Sequence, residues 1–487
     1  MISIEALAGL RVLVVGLGRE GTALALYLAK HGLAVTGTDR QPAAALGDGY
    51  AALQAAAVPL VLGEHPLTLL DETDILFVSP GIPLEAPFVA EAQARKIPLC
   101  TETKLFCLLC PAPIIGITGS NGKTTTTTLV SRILEADGRK TWVGGNIGRP
   151  LIEVVDQISA ADIVVMEFSS FQLEYFHAKL NQAVDPTAVP KVQPEVLAEL
   201  LGNWSPPVSA ILNITPNHLD RHPTMKHYVQ AKRALINYQG PAGRLVMNLD
   251  NDMTRTIGTQ FGPKTRWFSL EAQMPGGACL LRQELALIDE GGKQHRLADI
   301  SEIKLRGTHN LSNILAACLV CAQVGVSPEA MRAVITTFSG VAHRLEFVRE
   351  VQGVLYYNDS IATSPERLAA ALRSFRETVV LLAGGHDKHL PWEDVARLMV
   401  HKSSHIILFG EAAELIAGHV ARARQEMPTS TTTTIHRCAN LAEAVQRAAQ
   451  VVQAGEVVLL SPGCASYDQF RDFVERGQQF VTLVKAL

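Results

Sequence analysis

Residues 116–124 read Gly116-Ile117-Thr118-Gly119-Ser120-Asn121-Gly122-Lys123-Thr124. Holding a polyphosphate takes several donors converging on one point with little steric obstruction, and these residue types supply them. Glycines let backbone N–H groups approach, the helix that follows offers its positive end, and a lysine neutralises the outer phosphates. The hydroxyl of Thr124 is placed to reach Mg²⁺. The spacing is G-x-x-G-x-x-G-K-T, so Ile117 stands where the general G-x-x-x-x-G-K-[ST] pattern has its first glycine. A plain glycine-rich turn would leave the order strand, loop, lysine, hydroxyl, helix without a reason. The loop predicts an ATP-using enzyme.

Three more residues could join that loop. Glu167 closes the buried run Asp162–Met166, and a carboxylate at the end of a strand beside a phosphate loop suits Mg²⁺; an acid at a helix start is the blander reading. His218 lies in a loop past a further strand, where a histidine is as readily a surface residue. Lys232 falls in the helical stretch Tyr228–Ile236 and alone reads as a solvated lysine. Near the N-terminus, Gly16-Leu17-Gly18-Arg19-Glu20-Gly21 is a G-x-G-x-x-G with Asp39 about twenty residues on, the pattern of a diphosphate on a helix N-terminus. Taken alone it suggests NAD, and UDP satisfies the same physics.

Elements of alternating type must position these groups. Arg11–Gly16 is an apolar run ending in glycine, Thr22–Lys30 has helical period, and Ala34–Thr38 is a second strand, giving a β-α-β unit. Ile75–Val78 and Ile97–Cys100 continue the series. A new unit opens near Pro113: Ile114–Thr118 reads as a strand, Thr125–Ala136 as a helix, and Ile163–Met166 and Ala210–Ile214 as buried strands. Between those last two lie Pro186, Pro190, Pro194, Pro206 and Pro207, and the segment 181–207 reads as a surface insertion. A third series begins near Gly340, with strands Val354–Tyr357, Val379–Ala383, His405–Phe409 and Val457–Leu460. The helix after Ser364-Pro365-Glu366 has a good start signal. Thr431–Thr434 reads as a strand edge or loop. Strands alternating with helices imply parallel sheets covered on both faces.

The chain has 487 residues, which at roughly 100–200 per domain suggests about three domains. It is 47% hydrophobic and 18% charged, so it can build several cores. The net charge of -4 and the lack of a basic stripe argue against nucleic acid or a membrane surface. No apolar run approaches the roughly 18 residues of a membrane span, and the start Met1-Ile2-Ser3-Ile4-Glu5 lacks signal-peptide character. A cytoplasmic location is expected. The eight cysteines form no disulfide framework, and the lone C-x-x-C of Cys107 and Cys110 lacks a second pair for zinc; buried thiols are expected.

One ordered set of motifs spans the chain: the Thr-Gly-Ser-Asn-Gly-Lys-Thr loop, Gly145-Asn146-Ile147-Gly148, Glu167-Phe168-Ser169-Ser170-Phe171-Gln172-Leu173, Asn217-His218-Leu219-Asp220-Arg221-His222, Ala231-Lys232, His309-Asn310, His343-Arg344, Asn358-Asp359-Ser360 and Ser461-Pro462-Gly463-Cys464-Ala465-Ser466. This set resembles the Mur ligases of peptidoglycan synthesis, and among them the branch that adds glutamate to UDP-N-acetylmuramoyl-L-alanine. The resemblance implies an α/β fold of three domains: a Rossmann-like domain for the UDP substrate over 1–100, a central P-loop-type ATPase over 101–339, and a Rossmann-like glutamate-binding domain over 340–487. Closure about hinges near residues 100 and 340 would bring three substrates together.

The resemblance also implies roles. Gly119, Ser120, Asn121, Gly122, Lys123, Thr124 and Thr125 would bind ATP, with Asn310, Asn313, Arg344 and Asp359 contacting its nucleotide. Thr124 and Glu167 would hold one Mg²⁺, and His218 with a carbamylated Lys232 the second. Lys123, Glu167, His218 and Lys232 would thus be catalytic. Gly18, Arg19, Asp39, Arg40, Asn146 and His218 would face the UDP substrate. Thr363, Lys388, Ser466 and Phe473 would bind glutamate. One departure falls there: Ile361 stands where the family commonly has lysine, which leaves open L-glutamate as the amino acid. A folylpolyglutamate-type ligase would keep the ATP chemistry without a UDP site. A non-catalytic paralogue is opposed by the intact Lys123, Glu167, His218 and Lys232. An NAD-dependent oxidoreductase would account for Gly16–Gly21 and leave the central loop unexplained. The protein is expected to act as a monomer on small molecules.

Overall fold

Three short hydrophobic strands with helices between them open the chain, and they pair as the alternation predicts. The computed structural model describes residues 2–185, 187, 189, 192–218, 221–388, 390–426 and 433–487. Strands β1 (Arg11–Val15), β2 (Ala34–Asp39), β3 (Leu60–Leu62), β4 (Ile75–Val78) and β5 (Leu99–Cys100) form a sheet in the order β3-β2-β1-β4-β5. Every pair in it is parallel. The first helix starts at Arg19, three residues before the periodic stretch from Thr22. It can start there because the turn is tight: a Cβ on Gly21 would lie 1.9 Å from the Gly16 carbonyl oxygen. Only Leu99 and Cys100 of the run from Ile97 pair as strand.

The second sheet holds β6 (Ile114–Thr118), β7 (Thr141–Gly145), β8 (Ile163–Glu167), β9 (Val208–Ile211), β10 (Arg244–Asn248), β11 (Thr265–Ser269), β12 (Ala278–Leu281), β13 (Glu284–Ile288) and β14 (Gln294–Asp299). Its order is β14-β13-β12-β11-β10-β9-β6-β8-β7. The last three strands form an antiparallel extension that periodicity did not signal. The strand expected over Ala210–Ile214 instead ends at Ile211, and Asn213 and Ile214 turn away to serve the loop described below. Behind β6 the helix Lys123–Ala136 buries Leu129, Val130, Ile133 and Leu134 completely. Each such side chain stabilises the fold by about 1.5–3 kcal/mol, and the helix packs on a second one, Thr308–Ala322.

The segment 181–207 is not a surface insertion. Among its described residues Val189, Val192, Leu197, Leu200 and Leu201 all join the core. Side-chain amides tie the segment to the backbone around it. Asn181 Oδ1 accepts from Leu99 N at 2.8 Å while its Nδ2 donates to Leu99 O at 3.0 Å. Gln239 Nε2 donates to Pro206 O at 2.8 Å, and Ala178 N donates to Asn203 Oδ1 at 2.8 Å. Pro186 and Pro190 lie outside the described residues, as do Leu219 and Asp220 and, in the threonine run, Thr431 and Thr432.

Strands β15 (Glu346–Val351), β16 (Val354–Asn358), β17 (Val379–Gly384), β18 (Ser403–Phe409), β19 (Thr434–Arg437) and β20 (Val457–Gly463) make the third sheet, ordered β15-β16-β20-β17-β18-β19. It is parallel except for β15, which pairs antiparallel with β16. Contacts divide the chain into two units: Met1–Ile303 with Thr308–Thr337, and Lys304–Gly307 with Phe338–Leu487. The first therefore carries the first two sheets and the second carries the third.

Candidate active site

The Gly119–Gly122 loop joins β6 to the helix Lys123–Ala136. Ile117, the residue in place of the general pattern's first glycine, is fully buried within β6. That position belongs to the sheet core, so the loop proper begins two residues later. Gly122 caps the helix at φ +82°, a conformation side-chain-bearing residues seldom adopt, and a Cβ there would sit 2.2 Å from Asn313 Oδ1. Asn313 is thereby seated against the loop, and it donates to Asn310 Oδ1 at 3.1 Å. Lys123 Nζ lies over the loop, donating to the Gly119 carbonyl at 3.0 Å and the Ser120 carbonyl at 3.2 Å.

A second set of side chains fixes the loop from the end of β9. Asn213 grips Asn121 at both backbone groups: Asn121 N donates to its Oδ1 at 2.8 Å and its Nδ2 donates to Asn121 O at 3.1 Å. Ser120 N donates to Asn213 O at 2.9 Å. The Ser120 hydroxyl receives Thr215 N at 2.9 Å and lies 2.9 Å from Tyr228 OH. Asn213, Thr215 and Tyr228 were not singled out by sequence. Their partners are distant in the chain, and the only hint was a polar residue directly after a buried run.

Glu167 ends β8 with 1% exposure, so it is a buried strand-end acid. Thr124 Oγ1 donates to its Oε2 at 2.8 Å and Asn146 Nδ2 donates to its Oε1 at 2.8 Å. The β7–β8 pairing places the Gly145-Asn146 turn beside it, with Asn146 N donating to Glu167 O at 2.8 Å. Lys232 is not solvated. It is 1% exposed, with Nζ donating to Gly119 O at 2.9 Å and Thr118 Oγ1 at 3.2 Å, and lies 4.8 Å from the centre of the Tyr228 ring. Burial pushes its amine well below the usual lysine range, and Lys123 adds to this while Glu167 opposes it. Oxygen donors at Thr124 and Glu167 are of the kind that suits a hard cation. Among the described residues no cluster of three His, Cys, Asp or Glu could hold a metal alone.

His218 is exposed, in the left-handed region at φ +54°, and its ring packs 5.1 Å from that of Phe171. Its neighbours reach the first sheet. Arg221 donates to the Ile82 carbonyl at 2.9 Å and the Gly81 carbonyl at 3.2 Å, and its guanidinium lies 5.2 Å from the Phe171 ring centre. At the first sheet's carboxyl edge, Arg19 NH1 donates to Gly148 O at 2.6 Å, joining the G-x-G-x-x-G turn to the Asn146 turn. Both Asp39 oxygens are engaged by main chain, Leu17 N at 2.6 Å and Gln41 N at 2.8 Å, which makes Asp39 a shaper of the turn. Gly18 caps the helix Arg19–Lys30, and Arg40 is exposed. Thr125 is buried in the first turn of the loop's helix.

In the second unit, three loops at the carboxyl ends of β16, β20 and β17 are stitched together. Gly463 N donates to Ala362 O at 2.8 Å, and His386 and Ala465 exchange backbone bonds of 2.9 and 3.1 Å. That seats Thr363, exposed Lys388 and buried Ser466 on neighbouring loops, the position where open parallel sheets bind ligands. Phe473 begins the last helix, and the Ser360 hydroxyl donates to its carbonyl at 2.8 Å. Beneath lies Arg476, fully buried, donating to Ser360 O at 2.9 Å, Cys464 O at 3.1 Å and Ala465 O at 3.2 Å. Asp359 is 5% exposed. Burial pushes it up to about 7, against the opposing pull of the Ser461 hydroxyl and Leu345 N–H that it accepts and of Arg344.

Comparison with known proteins agrees with these groupings. Residues 10–101 match the Mur ligase MurD-like N-terminal domain, 117–189 and 195–321 the Mur ligase middle domain, and 343–464 the Mur ligase glutamate ligase domain. The chain is 42% identical over 479 residues to the UDP-N-acetylmuramoylalanine–D-glutamate ligase of Symbiobacterium thermophilum, covering 98% of each chain. It is 38% identical over 477 residues to the enzyme of the same name from Clostridium novyi, covering 98% of this chain and 96% of that one. Among solved structures, the UDP-N-acetylmuramate-alanine ligase MurC from Thermotoga maritima shares the fold at a TM-score of 0.56 and 16% identity, covering 98% of this chain and 99% of that one.

Proposed function

This chain belongs to the Mur ligase family, and on that premise we propose how its own residues join D-glutamate to UDP-N-acetylmuramoyl-L-alanine at the expense of ATP. It is an ATP-dependent ligase of peptidoglycan precursor synthesis, and the names of its relatives specify D-glutamate. The NAD reading gives way because the G-x-G-x-x-G turn lies within a MurD-like N-terminal domain.

A carboxylate is a poor acyl donor, so the reaction has two steps. An oxygen of the alanyl carboxylate attacks the γ-phosphorus of ATP, the bond to the β-phosphate oxygen breaks, and ADP leaves. The amine of glutamate then attacks the acyl carbon, inorganic phosphate departs, and the nitrogen gives up one proton. Lys123 and the N–H groups at the start of its helix would face the transferring phosphoryl group, where fixed donors count most, while Asn213 holds the Ser120 and Asn121 N–H groups and fixes the loop. Thr124 and Glu167 would hold one Mg²⁺, and His218 with Lys232 a second; when bound, the ions neutralise phosphoryl charge. Lys232 fits that place only as an anion. An uncharged amine is the form that adds to CO₂, losing a proton to become a carbamate, and burial of Lys232 favours that form.

In the first unit, Gly18 and Arg19 take the diphosphate of the UDP substrate, Asp39 and Arg40 its nucleoside side, and Asn146 its peptide side. Asn310 and Asn313 take the adenine nucleotide there. In the second unit, Arg344 and Asp359 serve the nucleotide, and Thr363, Lys388, Ser466 and Phe473 the two carboxylates of glutamate. Three domains, divided near residues 100 and 340, carry one substrate each. The enzyme works as a cytoplasmic monomer; among the described residues no helix is long and apolar enough to cross a membrane.

The observation that carries this reading is the joint seating of Lys123, Thr124, Glu167 and Lys232 at the carboxyl ends of β6 and β8. The test is phosphate release from UDP-N-acetylmuramoyl-L-alanine, ATP and Mg²⁺ with D- or L-glutamate. Release with D-glutamate, lost in Lys123→Ala, is expected. Inactivity with both amino acids, or a Lys123→Ala protein that still makes ADP in response to the UDP substrate, would overturn it.

A further inference from the structure

Glutamate brings two carboxylates to the second unit, and the four residues assigned to it carry one charge between them. Lys388 is the cation, Thr363 and Ser466 offer hydroxyls, and Phe473 has no polar side-chain atom. The loop after β16 is where a further cation is missing, because Ile361 stands where the family commonly has lysine. Arg476 does not fill the gap. It is fully buried, and its guanidinium is spent on the Ser360 hydroxyl and the carbonyls of Ser360, Cys464 and Ala465.

Another arginine reaches that loop from outside it. Arg367 is the third residue of the helix Pro365–Arg373, and it is exposed. Its Nη1 donates to the Ile361 carbonyl oxygen at 3.1 Å. The same oxygen accepts Thr363 N at 2.8 Å. The guanidinium and Thr363, a residue assigned to glutamate, are therefore neighbours on a single acceptor. Arg367 is also close enough to Asp359 to oppose, with Arg344, the rise that burial imposes on that carboxyl. A guanidinium has several N–H donors, and the Ile361 carbonyl occupies one. Among the described residues no carboxylate pairs with the rest.

Helix energetics do not account for this residue. The first turn of a helix favours acids such as Glu366, and an arginine there opposes the dipole. Adjacent residues of a helix do not face each other, so Glu366 leaves the guanidinium unpaired.

We propose that Arg367 binds a carboxylate of glutamate and so supplies, from its helix, the cation that position 361 lacks in this chain. The planar fork of an arginine matches a carboxylate, which takes two parallel N–H donors. Lys388 holds one carboxylate and Arg367 the other.

This inference rests on the placing of glutamate at Thr363, Lys388, Ser466 and Phe473. The experiment measures kcat and KM for D-glutamate, ATP and UDP-N-acetylmuramoyl-L-alanine in the full chain. The proteins are wild type, Arg367→Ala, Arg367→Lys, Lys388→Ala and an exchange variant that combines Arg367→Ala with Ile361→Lys. Arg367→Ala should raise KM for D-glutamate about tenfold to a hundredfold, with kcat and the other two KM values within about twofold. Arg367→Lys should fall between, since it keeps the charge and loses the fork. The exchange variant should recover most of the loss, which a merely structural arginine would not allow. A wild-type KM for D-glutamate in Arg367→Ala overturns the proposal. So does a rise confined to KM for ATP, which assigns the guanidinium to a phosphate. So does an exchange variant that unfolds at the wild-type temperature yet binds glutamate no better than Arg367→Ala. Arg367 is exposed, so its own variants fold and decide the matter should the exchange variant be unstable. Lys388→Ala separates the two claims. If it raises KM for D-glutamate and Arg367→Ala does not, only the role of Arg367 fails; if neither raises it, the glutamate assignment itself fails.

Discussion

Replacing Asp359 by asparagine should make the second unit more stable and the enzyme less active. The side chain is 5% exposed, and burial outweighs the Ser461 and Leu345 donors, raising it to about 7. An unfolded aspartate titrates near 3.9. Between those values the folded state holds a proton that the unfolded state has lost, so wild-type stability falls by ~1.4 kcal/mol per pH unit and stays low above about pH 7. Asparagine does not titrate and keeps the shape. From pH 5 to pH 8 the stability of Asp359→Asn relative to wild type should therefore rise by roughly 3 kcal/mol, which for a unit of this size is roughly 6–12 °C in Tm. Hydrogen exchange of peptides from β16 and β20 reports this unit separately, and it should show the variant better protected at pH 8 than at pH 5 relative to wild type. Activity should drop at pH 8, where Asp359 would offer the nucleotide an anion, and much less at pH 5, where the wild-type side chain is itself protonated. Equal stability differences at the two pH values would refute the buried-carboxylate reasoning, and full activity would refute the assigned role.

Other expectations follow from the same geometry. Gly122→Ala places a Cβ 2.2 Å from Asn313 Oδ1 at a positive φ, and should weaken ATP binding and cost about 1–3 kcal/mol, measured by calorimetry and chemical unfolding. Asn181→Ala leaves Leu99 N and O unpaired and should cost about 2–4 kcal/mol in urea unfolding; a cost under about 0.5 kcal/mol would mean that water replaces it. Protein prepared without CO₂ should regain activity on adding bicarbonate, with intact-mass gain of one CO₂ lost in Lys232→Arg; indifference to bicarbonate counts against a carbamate.

The parts of this site legible in sequence are those whose chemistry is local. Gly119 to Thr124 stood out because a loop whose backbone is to receive phosphates calls for those types, and Glu167 was visible as an acid ending an apolar run. The alternation of strands and helices gave the three sheets for the same reason. Lys232 could not be read alone: a lysine on an amphipathic helix is solvated unless the tertiary fold covers it, and here Tyr228 and the loop do. Asn213 and Asn181 bind backbone 92 and 82 residues away, a relation no local pattern carries. The prolines of 181–207 misled because proline breaks regular structure in a core as well as on a surface, and here apolar residues between them reach the core. The strands β12 to β14 escaped because each is short and their pairing, not their period, defines them.

The amide of Asn181 closing on Leu99 has a temporal meaning. β5 is an outer strand of the first sheet, and on its open side the Leu99 backbone is paired by the Asn181 amide instead of another strand. During synthesis the five strands emerge well before that side chain exists: the separation is 82 residues, which at about 5–20 residues per second leaves the strand bare for roughly 4–16 s. An uncovered edge of this kind is a template for joining another chain. The N-terminal domain, though it has a complete sheet, is thus finished only when the middle of the next domain has left the ribosome. A fragment ending near residue 100 should associate or aggregate where the whole chain does not.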